Sequence, residues 1–156
     1  MTSTTIPSAP FTARIQVLLD RRPVWQVSYL AGLAASVVVE VLGLIARAAG
    51  VPMRAAGLGS SQAGPVTVGM FAMGTMVVIF WFTFVVVLIA RFARRPRRAY
   101  VALTLPLLGV SLVVPLTAAD TAWSTKLLLV LAHLTAGAVI IPVVAHRLPT
   151  SRPHHV

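Results

Sequence analysis

The sequence predicts an all-α fold, an integral membrane four-helix bundle with both termini cytoplasmic, on three observations. The chain is 58% hydrophobic and only 10% charged over 156 residues, with a mean hydropathy of +0.90. A soluble domain carries about 25% charged residues, so a solvated globule could not be covered with what is available here. Four separate apolar runs each reach the roughly 20 residues that a bilayer span needs. The arginines, 12 of the 13 basic residues, gather on alternate sides of those runs.

The runs are Trp25–Ala46, Val66–Ala90, Ala99–Thr117 and Thr125–Ala145. A bilayer interior offers no water to unpaired amides, so runs of this length must be helical. Pro106 is read as a kink in the third span and Pro115 as its approach to the outer loop. Residues 24–149 thus form the bundle. Residues 1–23 are expected as a disordered or interfacial tail, with Phe11–Asp20 as a short surface helix, and 150–156 as a second disordered tail. Gly50–Pro65, with four glycines, reads as a loose outer loop. The first span is too long for a signal peptide, whose apolar region prefers about 7–15 residues, and is expected to be retained.

Arginine placement sets the orientation. With the amino terminus inside, the inner face collects ten: Arg14, Arg21, Arg22, five in the link Arg91–Arg98, Arg147 and Arg152. The outer face keeps Arg47, Arg54 and Lys126. Trp25, Tyr100 and Trp123 fall at the expected interfaces. Both termini are therefore expected on the cytoplasmic side of a membrane, with the Arg91–Arg98 link either setting topology or contacting anionic lipid.

Composition also excludes chemistries. A net charge of +10 invites nucleic acid, but the apolar content argues against a soluble nucleic-acid binder, and none is expected as partner. With no cysteine, disulfide relays, zinc–cysteine sites and iron–sulfur clusters are not expected. The three acids, Asp20, Glu40 and Asp120, lie in separate segments, which argues against paired-carboxylate hydrolysis and magnesium–diphosphate sites. Met70, Met73 and Met76 have no cysteine beside them, and His133 is the one histidine at membrane depth. No cofactor or metal is expected.

Glu40 is the most informative residue. A carboxylate at bilayer depth costs about 2.5–3.5 kcal/mol on insertion scales, so it belongs against protein or a wet cavity. Ser28, Gly32, Ser36 and Glu40 follow at four-residue steps, continued by Gly43 and Arg47, and small residues at that spacing let helices approach closely. Glu40 lies roughly 10 Å and His133 roughly 12 Å below the outer ends of their spans. Met73, Gly74 and Thr75 of span two and Ser111 of span three fall at comparable depth. One layer could therefore hold a carboxyl, an imidazole, two hydroxyls and a gap at Gly74. Two readings stay open. Glu40 pairs with His133 or Arg47 and only fixes packing, or desolvation leaves it a protonated acid ready to donate. Asp120 lies at the outer mouth, as a cap of the fourth helix, a partner of Lys126 or a lid acid. Trp81 could line a cavity and stabilise cationic character.

Arg94-Arg95-Pro96-Arg97-Arg98, then Ser111–Ala118, Ala119-Asp120-Thr121-Ala122 and Ala132-His133-Leu134 through Ile141-Pro142 to Arg147, resemble a family of small four-span actinobacterial membrane proteins known as a domain of unknown function. The likeness covers residues 22–149 and implies a four-helix bundle in a bacterial plasma membrane, without an activity. Tyr29-Leu30 and Glu40-Val41 with Gly43 resemble the first helix of small multidrug-resistance transporters, whose glutamate exchanges protons for cations.

Three functions are weighed. The first is an intramembrane enzyme that protonates a lipophilic, isoprenoid-like substrate, in the manner of membrane-bound terpene cyclases. Glu40 would be the proton donor, His133 or Asp120 its orienting partner or base, and Ser36, Met73, Gly74, Trp81 and Ser111 the substrate pocket. The second is a proton-coupled exporter working as a homodimer through Glu40. The third is a non-catalytic structural or helper subunit.

Overall fold

A computed structural model describes residues 22–57 and 59–151. Residues 1–21 and 152–156 of the expected tails, with the surface helix over Phe11–Asp20, lie outside the described residues. Four helical segments are long and apolar enough to cross a membrane: Val24–Ala48, Met70–Phe92, Pro96–Thr117 and Trp123–Arg147. The molecule is an all-α multi-pass membrane bundle.

The first helix, α1 (Val24–Ala48), is the most buried of the four. It ends in a full Schellman closure: Gly50 N–H donates to Arg47 O at 3.1 Å and Val51 N–H to Ala46 O at 3.0 Å. That closure needs a left-handed residue, and Gly50 takes φ +82°, a conformation cheap only without a Cβ. The connection that follows is more ordered than its glycines suggested. Strands β1 (Arg54–Ala55) and β2 (Gly64–Pro65) pair antiparallel, Arg54 opposite Pro65 and Ala55 opposite Gly64, and Val66 N–H donates to Met53 O at 2.8 Å. Because Val66 belongs to this ladder, the second helix, α2 (Met70–Phe92), starts later than the hydropathy placed it.

At the opposite end α2 and the third helix, α3 (Pro96–Ser111), run into the arginine link from both sides. Pro96 stands in the first turn of α3, where a missing N–H loses nothing. α3 continues through Pro106, and the span is interrupted at Leu112, before the short α4 (Val113–Thr117). Pro115 is the physical reason: it has no N–H for Ser111 O, and its ring would strike that carbonyl in a continuous helix. Restarting at Val113 puts Pro115 in a first turn, where no N–H is needed. The last helix, α5 (Trp123–Arg147), returns to the arginine end.

α1 packs against α2 and α5, and α3 lies mainly against α5. The stripe read from α1 does face inward: Ser28, Gly32, Ser36 and Gly43 are buried. Thr83 Oγ1 donates to Ile79 O at 2.7 Å, so the 2.9 Å contact between Ser28 and Thr83 is a bond from Ser28 that ties α1 to α2. The core at the arginine end joins Ala31, Val86, Tyr100, Val144, Ala145 and Leu148. Tyr100 is fully buried, and its hydroxyl has no hydrogen-bond partner among the described residues. Tyr100→Phe removes a polar atom that has no bond to lose. Its expected result is unchanged stability or a gain of up to about 1 kcal/mol, read by thermal unfolding in detergent. A loss larger than that would reveal a partner for the hydroxyl.

Candidate functional site

Of the described residues two are acids, Glu40 and Asp120, and both lie at the end of the bundle that carries the loop. Their partners are backbone amides. Gly69 N–H donates to Glu40 Oε1 at 2.7 Å and Ala72 N–H to Oε2 at 3.1 Å. These donors open α2, whose own N-cap, Gly69, has no side chain with which to cap it. Glu40 sits roughly 12 Å along the axis from the end of α1, at 1.5 Å per residue. The half-buried first turn of α2 meets it there, and the carboxylate satisfies two of the free amides of the helix start. The carboxylate of one span thus caps the next, a placement that the positive end of the helix dipole also favours.

The rest of the loop end follows the same plan. Asp120 Oδ2 accepts Ala63 N–H at 3.3 Å, and Asp120 itself sits in the left-handed region at φ +45°. Thr121 Oγ1 accepts Ala56 N–H at 3.0 Å and donates to Ala119 O at 2.8 Å. Arg54 donates to Ala63 O at 2.6 Å and Arg47 to Val66 O at 2.7 Å. Thr125 Oγ1 donates to Pro52 O. Side chains from α1, α5 and the turn before α5 thereby hold both limbs of the loop, while Arg54 braces the loop from within. A cleft of about 680 Å³ remains at this end, lined by Arg54, Asp120, Thr121 and Lys126 among others.

The expected polar layer is not assembled in this way. Among the described residues no hydrogen bond or ion pair joins Glu40 to His133 or to Arg47. His133 Nδ1–H donates to Leu129 O at 2.7 Å, one turn back on its own helix. Ser36 Oγ donates to Gly32 O at 2.8 Å and Ser111 Oγ to Leu108 O at 2.7 Å, each again within one helix. Met73 and Trp81 are 61% and 67% exposed, and open space lies beside Gly74, so these three sit on the face of α2 turned away from α1. Asp120 neither caps α5, whose N-cap is Ala122, nor pairs with Lys126. Lys126 Nζ donates to Leu116 O at 3.2 Å and lies 5.2 Å from the centre of the Trp123 ring. Among the described residues no three of His, Cys, Asp and Glu are placed to hold a metal ion.

Sequence reasoning passed over Arg54, Thr121 and Thr125, which do as much bracing as the acids, and Thr83, the partner of Ser28. Their signal is faint because a threonine near a helix start has many local uses, and its true acceptor lies 73 residues away in the case of Thr125.

No curated protein and no solved structure matches the chain. A family model does, over residues 19–150, and with it the four apolar helices find their place: the chain belongs to DUF6069, a family of unknown function.

Proposed function

We propose that the protein is a non-catalytic structural or helper subunit of a bacterial plasma membrane, in which Glu40 serves as a latch between spans. The observation that carries this reading is the pair of amide donors on Glu40, one to each oxygen. An acid catalyst needs an O–H aimed at a substrate, whereas here each oxygen of Glu40 accepts a backbone N–H. The residues that would share the chemistry give further support, since His133, Ser36 and Ser111 bond within their own helices and Trp81 faces outward. The excess of arginine at the end opposite the latch supports a cytoplasmic position for that end.

The test is Glu40→Gln in the full chain, reconstituted in liposomes at wild-type level. Stability is expected to fall, because the amide keeps one acceptor oxygen but turns an N–H toward the second donor. Neither acid-catalysed cyclisation of a lipophilic isoprenoid alkene or epoxide nor proton-driven uptake of a lipophilic cation is expected from either protein. Cyclised product or uptake in the wild type, lost in a Glu40→Gln variant that still folds, would overturn the proposal and give Glu40 a chemical task.

A further inference from the structure

At the arginine end a cleft of about 850 Å³ opens between the first turns of α3 and the segment after α5. Its mouth carries Arg95, Arg97 and Arg98 on one side and Thr150 and Ser151 on the other. The two sides are tied together, since Arg97 N–H donates to Pro149 O at 3.2 Å. Farther along α3 the lining is apolar, formed by Val101, Leu105 and Pro106. From Arg98 to Pro106 the helix rises about 12 Å, so the lining changes from cationic to oily along the direction in which α3 enters the bilayer.

The three guanidinium groups at the mouth have no side-chain hydrogen bond or ion pair among the described residues. Among the described residues no acid compensates them, because Glu40 and Asp120 are at the loop end. Three uncompensated cations beside two hydroxyls form a site for a phosphate, which arginine grips through paired N–H groups. A free phosphate would leave the apolar wall unused. An acyl chain attached to the phosphate would cover it, and basic pockets at the cytoplasmic side of membrane helices take up anionic lipid in this way.

We propose that this cleft binds one anionic phospholipid, its phosphate held by Arg95, Arg97 and Arg98 and an acyl chain laid along Val101, Leu105 and Pro106. The site is remote from Glu40 and does not rest on the latch reading. The full-length protein, purified from vesicles of phosphatidylcholine and phosphatidylglycerol, is examined by native mass spectrometry, and its affinity for each lipid and for inorganic phosphate is titrated. One retained phosphatidylglycerol per chain is expected. Arg95→Gln, Arg97→Gln and Arg98→Gln together should weaken its binding at least roughly tenfold, the loss of one or more charge-assisted bonds. Leu105→Trp leaves the charge, and with it the topology signal, untouched. It should reduce phosphatidylglycerol retention severalfold while leaving any inorganic phosphate binding unchanged. The proposal fails if phosphatidylglycerol leaves the wild type as readily as phosphatidylcholine, or if neither set of substitutions changes its retention. It fails equally if inorganic phosphate binds as tightly and Leu105→Trp is silent, which would assign the arginines to a free anion. Glu40→Gln should leave retention unchanged, so this result and the latch test stand or fall separately.

Discussion

Glu40→Ala is expected to destabilise the bundle by about 2 kcal/mol, above the roughly 1 kcal/mol on which single substitutions centre. Two hydrogen bonds to a charged acceptor are lost, each worth about 1.5–3 kcal/mol, together with a favourable helix-terminus charge of about 0.3–1 kcal/mol. Against this stands relief from holding a carboxylate at depth, about 2.5–3.5 kcal/mol on insertion scales. The loss wins because the amides of Gly69 and Ala72 stay where they are and have no other acceptor among the described residues. Glu40→Asp, one methylene shorter, cannot reach both donors and should fall between alanine and the wild type. Unfolding in detergent gives the stability, and amide exchange at Gly69 and Ala72 gives the mechanism: exchange should rise there before it rises in the middle of α2. Wild-type stability and wild-type exchange in Glu40→Ala would mean that the carboxylate is no latch.

That latch shows where sequence reasoning reached and where it stopped. The spans were legible because length and apolarity alone force a helix in a bilayer, and the inward face of α1 was legible because four-residue steps of serine and glycine have only one helical meaning. The partner of Glu40 was not. Matching depths pairs side chains with side chains, whereas the carboxylate meets backbone N–H groups, which carry no residue-type signature. They become visible only when the start of α2 is known, and hydropathy put that start at Val66, inside what is in fact a strand ladder. The face of α2 was equally hidden. A helix that is apolar all round has no periodicity to mark its inward side, so Gly74 and Trp81 could be imagined around a cavity when they look away from α1. The third span is interrupted where a fresh helix start absorbs the missing N–H of Pro115, a position that hydropathy does not mark.

The largest effect is expected where α1 and α2 come closest. A Cβ at Gly32 would lie 2.7 Å from Cγ2 and 3.1 Å from Cβ of Ile79. Ile79 is 2% exposed and, being β-branched within a helix, has essentially one χ1 rotamer to occupy, so it cannot swing aside. Gly43 meets the Phe71 ring in a similar way, with 2.8 Å to Cδ2. In a bilayer, lipid tails are as apolar as leucine, so helices are held by close packing and a few hydrogen bonds rather than by expulsion from water. Forcing the pair apart at Gly32 therefore removes the main attraction, and it also stretches the Ser28–Thr83 bond one turn away. Gly32→Leu should cost about 3 kcal/mol or more, the upper part of the overpacking range, and leave little folded protein. Gly32→Ala should fall by about 1–3 kcal/mol. Combining it with Ile79→Ala, which removes the γ carbons that the new methyl strikes, should recover part of that loss, so that the double variant is more stable than the sum of the single effects. Strict additivity in this cycle, measured by unfolding in one detergent, would show that the two helices are not in van der Waals contact at Gly32.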